Sequence, residues 1–348
     1  MRRLLSFTAA IVLAAAPAAR PATFYAANDG NDGPSHCLCG GKAGPCRSIT
    51  CAITRAAPGD KIIVGPGVYG DLNANGTHGE AGEETPSPGC NCVLSINKPV
   101  VVVSSDGAAA TVIPGAGNNV GQGVLVIASA EFGQPGKGFT VTQTNSAPSI
   151  DAIVVDADTV KIRGNQVLGI LSNTGTGIRT VDAPEHVLIE GNEVIGFGTG
   201  IKALGGNKTV RKNHVLLNGR GIEVTGAASA ITGNVLAGNG SGVVPSDGVT
   251  VGSNGIYGSF ASGISVAPPF TGTIQKNDIV SSSLAFGPPY CGLDNSGVTG
   301  VLATNNYWGA PTGPGPRPAD DVCNQSGGTT TVTPVATKRF KVKAPLKP

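Results

Sequence analysis

Arg179, Lys202 and Glu223 follow one another at intervals of 23 and 21 residues, and Glu193 and His214 also stand 21 residues apart. If that interval is one turn of a repeating strand structure, these side chains stack in columns with a step of about 5 Å. Proton abstraction beside a carboxylate needs a base and a positive charge that neutralises the acid. Lys202, with Arg179 alongside, has the side-chain types for those two tasks. Hydrolysis of a glycosidic bond needs two carboxyl groups at a set separation. The acids at hand are Asp156, Asp158, Glu193 and Glu223, and no two of them form a marked pair in sequence.

Two simpler readings stand beside these. A further column, Arg163, Glu190 and Arg211, alternates in sign as strand surfaces do for cross-strand pairing, and Glu193 beside His214 fits the same account. All three columns are charged or polar over the same turns and become bland together at Thr232, Val235 and Val244. Asp156 and Asp158, in "DADTV", read as lying on one side of a strand, and clustered carboxylates are what calcium takes. They are the candidate metal ligands, with exposed turn acids as the plainer reading. "NDGNDG" at 28–33 misses the spacing of a calcium loop and reads as a turn.

The positions become columns because the middle of the chain repeats. Asn165, Asn192, Asn213, Asn234, Asn254 and Asn277 recur at steps of 27, 21, 21, 20 and 23 residues. Three residues before each stands Ile162, Ile189, Val210, Ile231, Val251 or Ile274, and two after stands Val167, Val194, Val215, Leu236, Ile256 or Ile279. A Gly-Ile or similar pair follows in every turn, from Gly177-Ile178 to Gly292-Leu293. Short strands with one inward apolar residue, separated by Asn and Gly corners, are the signature of a solenoid. Asn tolerates the left-handed corner conformation, and its amide can bond the Asn of the next turn.

This pattern resembles the parallel β-helix repeats of the pectin/pectate-lyase-like superfamily. "CRSITCAITRAAPGDKIIVGPGVYG" resembles the entry to such domains, with a capping helix that puts Ile49, Ala52, Ile53 and Ala56 on one face. "NNYWG" at 305–309 resembles their closing motif. Counted from Asn305, Leu302 and Tyr307 fall on the repeat positions, and Trp308 reads as a lid on the last coil. The resemblance implies an all-β, single-stranded right-handed parallel β-helix over about residues 23–325, with room for about 10 to 11 coils. It does not specify an activity, because one fold hosts many functions. With the charged columns, the expectation is a protein that binds and processes acidic polysaccharide, lyase- or epimerase-like, with calcium as the candidate cofactor. The alternative is a non-catalytic surface or structural β-helix of the adhesin type, which the scarcity of aromatics favours. "DAPEHV" at 182–187 shares residue types with the Asp-Pro-His-Glu site of alginate epimerases in a different order, so no catalytic roles are carried over.

The remaining features concern compartment and ends. Residues 1–19 read as a secretory signal peptide: Arg2 and Arg3, an apolar core and an A-x-A site, with cleavage near Ala18 or Ala19. The expected location is therefore extracellular, periplasmic or at the cell surface, and no later apolar run is long enough to span a membrane. The eight cysteines are then expected to form disulfides rather than a zinc site, since the C-x-C pairs lack zinc spacing. Cys291 is expected to join Cys323, and Cys37, Cys39, Cys46, Cys51, Cys90 and Cys92 to pair among themselves. A net charge of +2 without a basic stripe argues against nucleic acid. The tail 326–348, with Lys338, Arg339, Lys341, Lys343 and Lys347, is expected to be a solvated end. A monomer is expected.

Overall fold

The computed structural model describes residues 20–33, 44–70, 75, 83–84, 90–115, 121–143, 150–171, 174–182, 185–282 and 290–342. The leader, Cys37, Cys39, Lys343 and Lys347 lie outside the described residues. The chain winds repeatedly through three parallel sheets: sheet A with 12 strands, sheet B with 9 and sheet C with 10. Among the described residues nine coils carry a strand in each sheet and a tenth is incomplete, close to the lower end of the expected number.

Each sheet contributes one column of side chains to the core. In sheet A, Ile162, Ile189, Val210, Ile231, Val251 and Ile274 pair in register. In sheet B the column is Val167, Val194, Val215, Leu236, Ile256 and Ile279. In sheet C it runs Ile153, Ile178, Ile201, Ile222, Val243, Ile264, Leu293. All are essentially inaccessible to solvent. β-Branched residues suit these stacks because their stiff side chains pack on the pleated surface.

The corner between sheets A and B is held by an asparagine ladder. Asn213 Oδ1 accepts from the backbone N of Asn192 at 2.9 Å and from its Nδ2 at 3.0 Å, while Asn213 Nδ2 donates to Ile189 O at 2.9 Å. The same pattern continues through Asn234, Asn254 and Asn277. The rungs are not the left-handed residues. That conformation belongs to the residue before each rung: Gly164, Gly191, Lys212, Gly233, Ser253, Lys276 and Asn305.

This corrects the last coil by one residue. Asn305 is the left-handed residue, with φ 57°, and Asn306 is the rung that bonds Asn277. A one-residue shift exchanges the inward and outward faces of a strand. Ala303 and Trp308 therefore point inward and are inaccessible, whereas Leu302 is 50 % exposed. Tyr307 pairs with Asp278, outside the core column.

Both ends are closed. The helix Ile49–Arg55 packs Ile49, Ala52 and Ile53 against the first coils, and Ser48 Oγ caps it by accepting from Cys51 N at 3.0 Å. Glu84, between the first coil's sheet B strand Gly67–Val68 and its sheet C strand Cys92–Ile96, accepts from Ile49 N, Thr50 N and Thr50 Oγ1. Its burial outweighs those bonds and pushes its carboxyl up to about 7. At the far end, Thr330–Thr331 adds a strand to sheet A. The chain then crosses sheet B, where Ala336 N donates to Asn306 O and Phe340 N to Asp278 Oδ1. Arg339 lies 5.9 Å from the rings of Tyr257 and Tyr307. The basic tail is thus laid against the solenoid as far as Val342. Cys291 is joined to Cys323 and Cys90 to Cys92, and Cys46 and Cys51 are also oxidised.

Candidate functional site

The three charged columns lie on three different sheets. Arg163, Glu190 and Arg211 stand on sheet A, Glu193 and His214 on sheet B, and Arg179, Lys202 and Glu223 on sheet C. The five side chains that could share chemistry therefore do not share one surface.

On sheet A, Arg163 bridges Glu131 at 3.0 Å and Glu190 at 3.1 Å, and Arg211 reaches Glu190 at 2.9 Å. Burial alone would raise the Glu190 carboxyl, but the hydrogen bond from Arg211 and the charges of Arg211, Arg163 and Lys212 hold it below the ordinary carboxylate range. This is a neutralised ladder that stitches coils together. On sheet B, Gln166 Nε2 donates to Glu193 at 2.8 Å and His214 Nδ1 stands 3.8 Å from the same carboxylate. That is another cross-strand pair.

Asp156 and Asp158 are not on a strand. The strand Ile153–Val155 ends before them, and both are exposed in the turn that leads to sheet A. Asp158 accepts from Glu185 N at 2.7 Å and contributes to the field around the buried Lys208 ammonium. A neighbouring lysine opposes a calcium ion, and among the described residues neither acid belongs to a group of three metal-ligating side chains. The one such group, Asp32 with Cys46 and Cys51, contains two disulfide sulfurs, which are poor metal ligands.

Sheet C is different. Asp151, Thr174, Gly175, Thr176, Arg179, Lys202 and Leu204 line an open depression of about 380 Å³. Arg179 Nε donates to Asp151 Oδ2 at 2.5 Å, and Asp151 Oδ1 accepts from Thr176 N at 2.9 Å. Lys202 Nζ lies 3.1 Å from Glu223 Oε1, and Arg220 Nη1 lies 3.1 Å from Glu223 Oε2. Three cations thus stand on three successive coils around two carboxylates. The contact from Arg179 uses one of its five N–H donors. Lys202 is 31 % and Arg220 57 % exposed at the side chain, so both face solvent.

Asp151 and Arg220 were not singled out from the sequence. Arg220 was within reach: it directly precedes Gly221-Ile222, in the column Thr176, Thr199, Arg220, Ser241, Ser262. Asp151 was not, because it lies before the regular repeats begin. Also unread was a second ladder at the corner between sheets B and C. There Asn218 Oδ1 accepts from Phe197 N, Asn239 Oδ1 from Asn218 N, and Asp320 Oδ2 from Ser282 N.

With this geometry in hand, comparison places the chain by its fold. Residues 149–308 match the family described as "Right handed beta helix region". Pectate lyase Pel9A superposes with a TM-score of 0.53 at 12% identity, covering 91% of this chain and 78% of that one. The GH136 lacto-N-biosidase from Eubacterium ramulus gives 0.51 at 11% identity, covering 92% and 68%. The alginate lyase from Paenibacillus sp. str. FPU-7 gives 0.47 at 14% identity, covering 88% and 99%. No curated protein matches the sequence. The chain is a right-handed parallel β-helix, the fold it shares with pectate lyase Pel9A and the GH136 lacto-N-biosidase. At these identities the likeness is one of fold.

Proposed function

We propose that the sheet C face binds an acidic polysaccharide outside the cytoplasm, and that Arg179, Lys202 and Arg220 hold its carboxylates. The observation that carries this is the row of three cations on consecutive coils at the edge of an open depression. The coil step of about 4.8 Å presents these charges as a repeating array, which suits a repeating anionic polymer. Arginine matches a carboxylate with two parallel bonds, and lysine adds a point charge. The glycan-acting enzymes that share the fold support the choice of ligand class.

A lyase- or epimerase-like step would use Lys202 as the base on the proton beside the uronate carboxylate, with Arg179 neutralising the charge that develops. A specific observation favours the second reading, binding without turnover: in the free protein Lys202 and Arg179 are each paired with a carboxylate. The base role requires Lys202 to be released from Glu223 as the neutral amine, since an ammonium has no acceptor.

The experiment is titration with pectate, alginate and glycosaminoglycan oligomers, with neutral oligomers as controls. Replacing Arg179 or Lys202 by Ala should weaken acidic oligomers by about 10- to 100-fold, the range of a charge-assisted hydrogen bond. Neutral oligomers should not bind. Appearance of unsaturated, ultraviolet-absorbing product identifies a lyase, inversion at the uronate carbon without cleavage identifies an epimerase, and binding with neither change identifies the second reading. No binding to any acidic oligomer refutes both.

A further inference from the structure

The sheet C face has a second distinctive end, about four coils from the Arg179–Lys202 depression. Directly after Phe197, Asn218 and Asn239 of the second ladder stand Gly198, Gly219 and Gly240, on successive coils. A side chain there would collide with the preceding coil: a Cβ on Gly219 would lie 2.6 Å from Gly198 O, and on Gly240 2.2 Å from Gly219 O. The rim of the face is therefore bare backbone over these coils. On the next coil the connection 258–261 is one residue longer than 238–240, and the position after Ser259 is Phe260. Phe260 is 47 % exposed.

The coil after that supplies Tyr290, at the start of the sheet C strand Cys291–Ser296. Arg317 lies over its ring, 3.8 Å from the centroid, and Nη2 reaches Ser282 O at 3.5 Å. Arg317 is exposed as a residue. The acid in its field, Asp320, is buried and accepts from Ser282 N. Phe260 and the stacked Tyr290–Arg317 pair thus stand at the same edge of sheet C on neighbouring coils. Between them and Lys202 run the polar positions Arg220, Ser241 and Ser262.

We infer that Phe260 and the Tyr290–Arg317 pair form a distal subsite, and that the ligand is an acidic sugar chain long enough to lie across the coils from Lys202 to Arg317. This rests on the acidic-polysaccharide reading and adds its length and direction. Four coil steps set the span at about 19 Å, beyond the reach of a disaccharide. The apolar face of a sugar ring packs on Phe260, as aromatic rings favour flat partners. A ring carboxylate pairs with Arg317, whose orientation is already fixed by stacking. The glycine rim leaves the intervening coils open.

The test is calorimetric titration of the full chain with dimers and hexamers of galacturonate, mannuronate and chondroitin. For the oligomer series that binds, the hexamer should bind at least about 10-fold tighter than the dimer. Phe260→Ala and Arg317→Ala should each weaken the hexamer about 5- to 10-fold and leave the dimer unchanged, and Phe260→Tyr should restore hexamer binding. Circular dichroism verifies that each variant is folded. The inference is overturned if both alanine variants bind the hexamer like wild type, or if they weaken dimer and hexamer equally. If no oligomer of any length binds wild type, the acidic-polysaccharide reading fails and this inference with it. If dimer and hexamer bind alike, only the distal subsite fails.

Discussion

Asn234→Ala is expected to destabilise the solenoid by about 4 kcal/mol, because it strands several buried polar groups at once. Asn234 Oδ1 accepts from Asn213 N at 2.9 Å and from Asn213 Nδ2 at 3.0 Å. Its Nδ2 donates to Val210 O and to Asn254 Oδ1, both at 3.0 Å. The residue is wholly buried, so no water can take over these bonds. Each unsatisfied buried group costs about 1–3 kcal/mol, and relaxation of the corner recovers part of the sum. Asn234→Asp should cost at least as much, because its second carboxylate oxygen would face Val210 O and Asn254 Oδ1 with no donor in a buried site. Thermal denaturation followed by circular dichroism checks this. A melting temperature within about 2 °C of wild type for Asn234→Ala would mean that the ladder is decorative.

Trp308→Ala carries the second large effect. Trp308 continues the sheet B column beyond Ile279 and is inaccessible to solvent. Its ring also packs beside Gly292, where an added Cβ would lie 3.3 Å from Cε3. Removing so large a side chain from the last coil should cost about 3–5 kcal/mol. Trp308→Phe should cost clearly less, because the indole Nε1 has no hydrogen-bond partner among the described residues and Phe removes that unsatisfied donor. Chemical denaturation by circular dichroism is the appropriate readout, since the variants lose the only tryptophan. An alanine variant as stable as wild type, with altered ligand binding, would show that the ring is a ligand platform.

The contrast between these two residues shows what the sequence made legible. Six rungs of the ladder were readable, since each is the single Asn between an inward residue three before and another two after. The final rung was misplaced because "NN" offers two candidates. The deciding cue was the residue before each rung, which is Gly at positions 164, 191 and 233 and left-handed in every coil from Gly164 onward. Asn305 fills that role, and the shift turns Trp308 from a lid beside the core into a member of its column. The site was less legible. Registers placed Glu193 beside His214 and Lys202 beside Glu223, but the three columns were read as one cluster. Position along a coil decides which sheet a column occupies, and charges on different sheets face different directions. Asp151 and the Tyr290–Arg317 pair come from irregular connections, where periodicity carries no information.

The ion pairs of sheet C give the site its expected behaviour. Glu223 holds Lys202 and Arg220, and Asp151 holds Arg179, so two carboxylates leave the three cations with a net positive charge. On the proposed reading, a ligand carboxylate would compete with these acids.

The most direct measurement is a crystal structure of the protein with a bound hexauronate. A ligand carboxylate within about 3 Å of the Arg179 guanidinium or the Lys202 ammonium, with the chain lying across sheet C, is the predicted result. A ligand seated on sheet A or beside Glu193 and His214 on sheet B, with sheet C unoccupied, would contradict it.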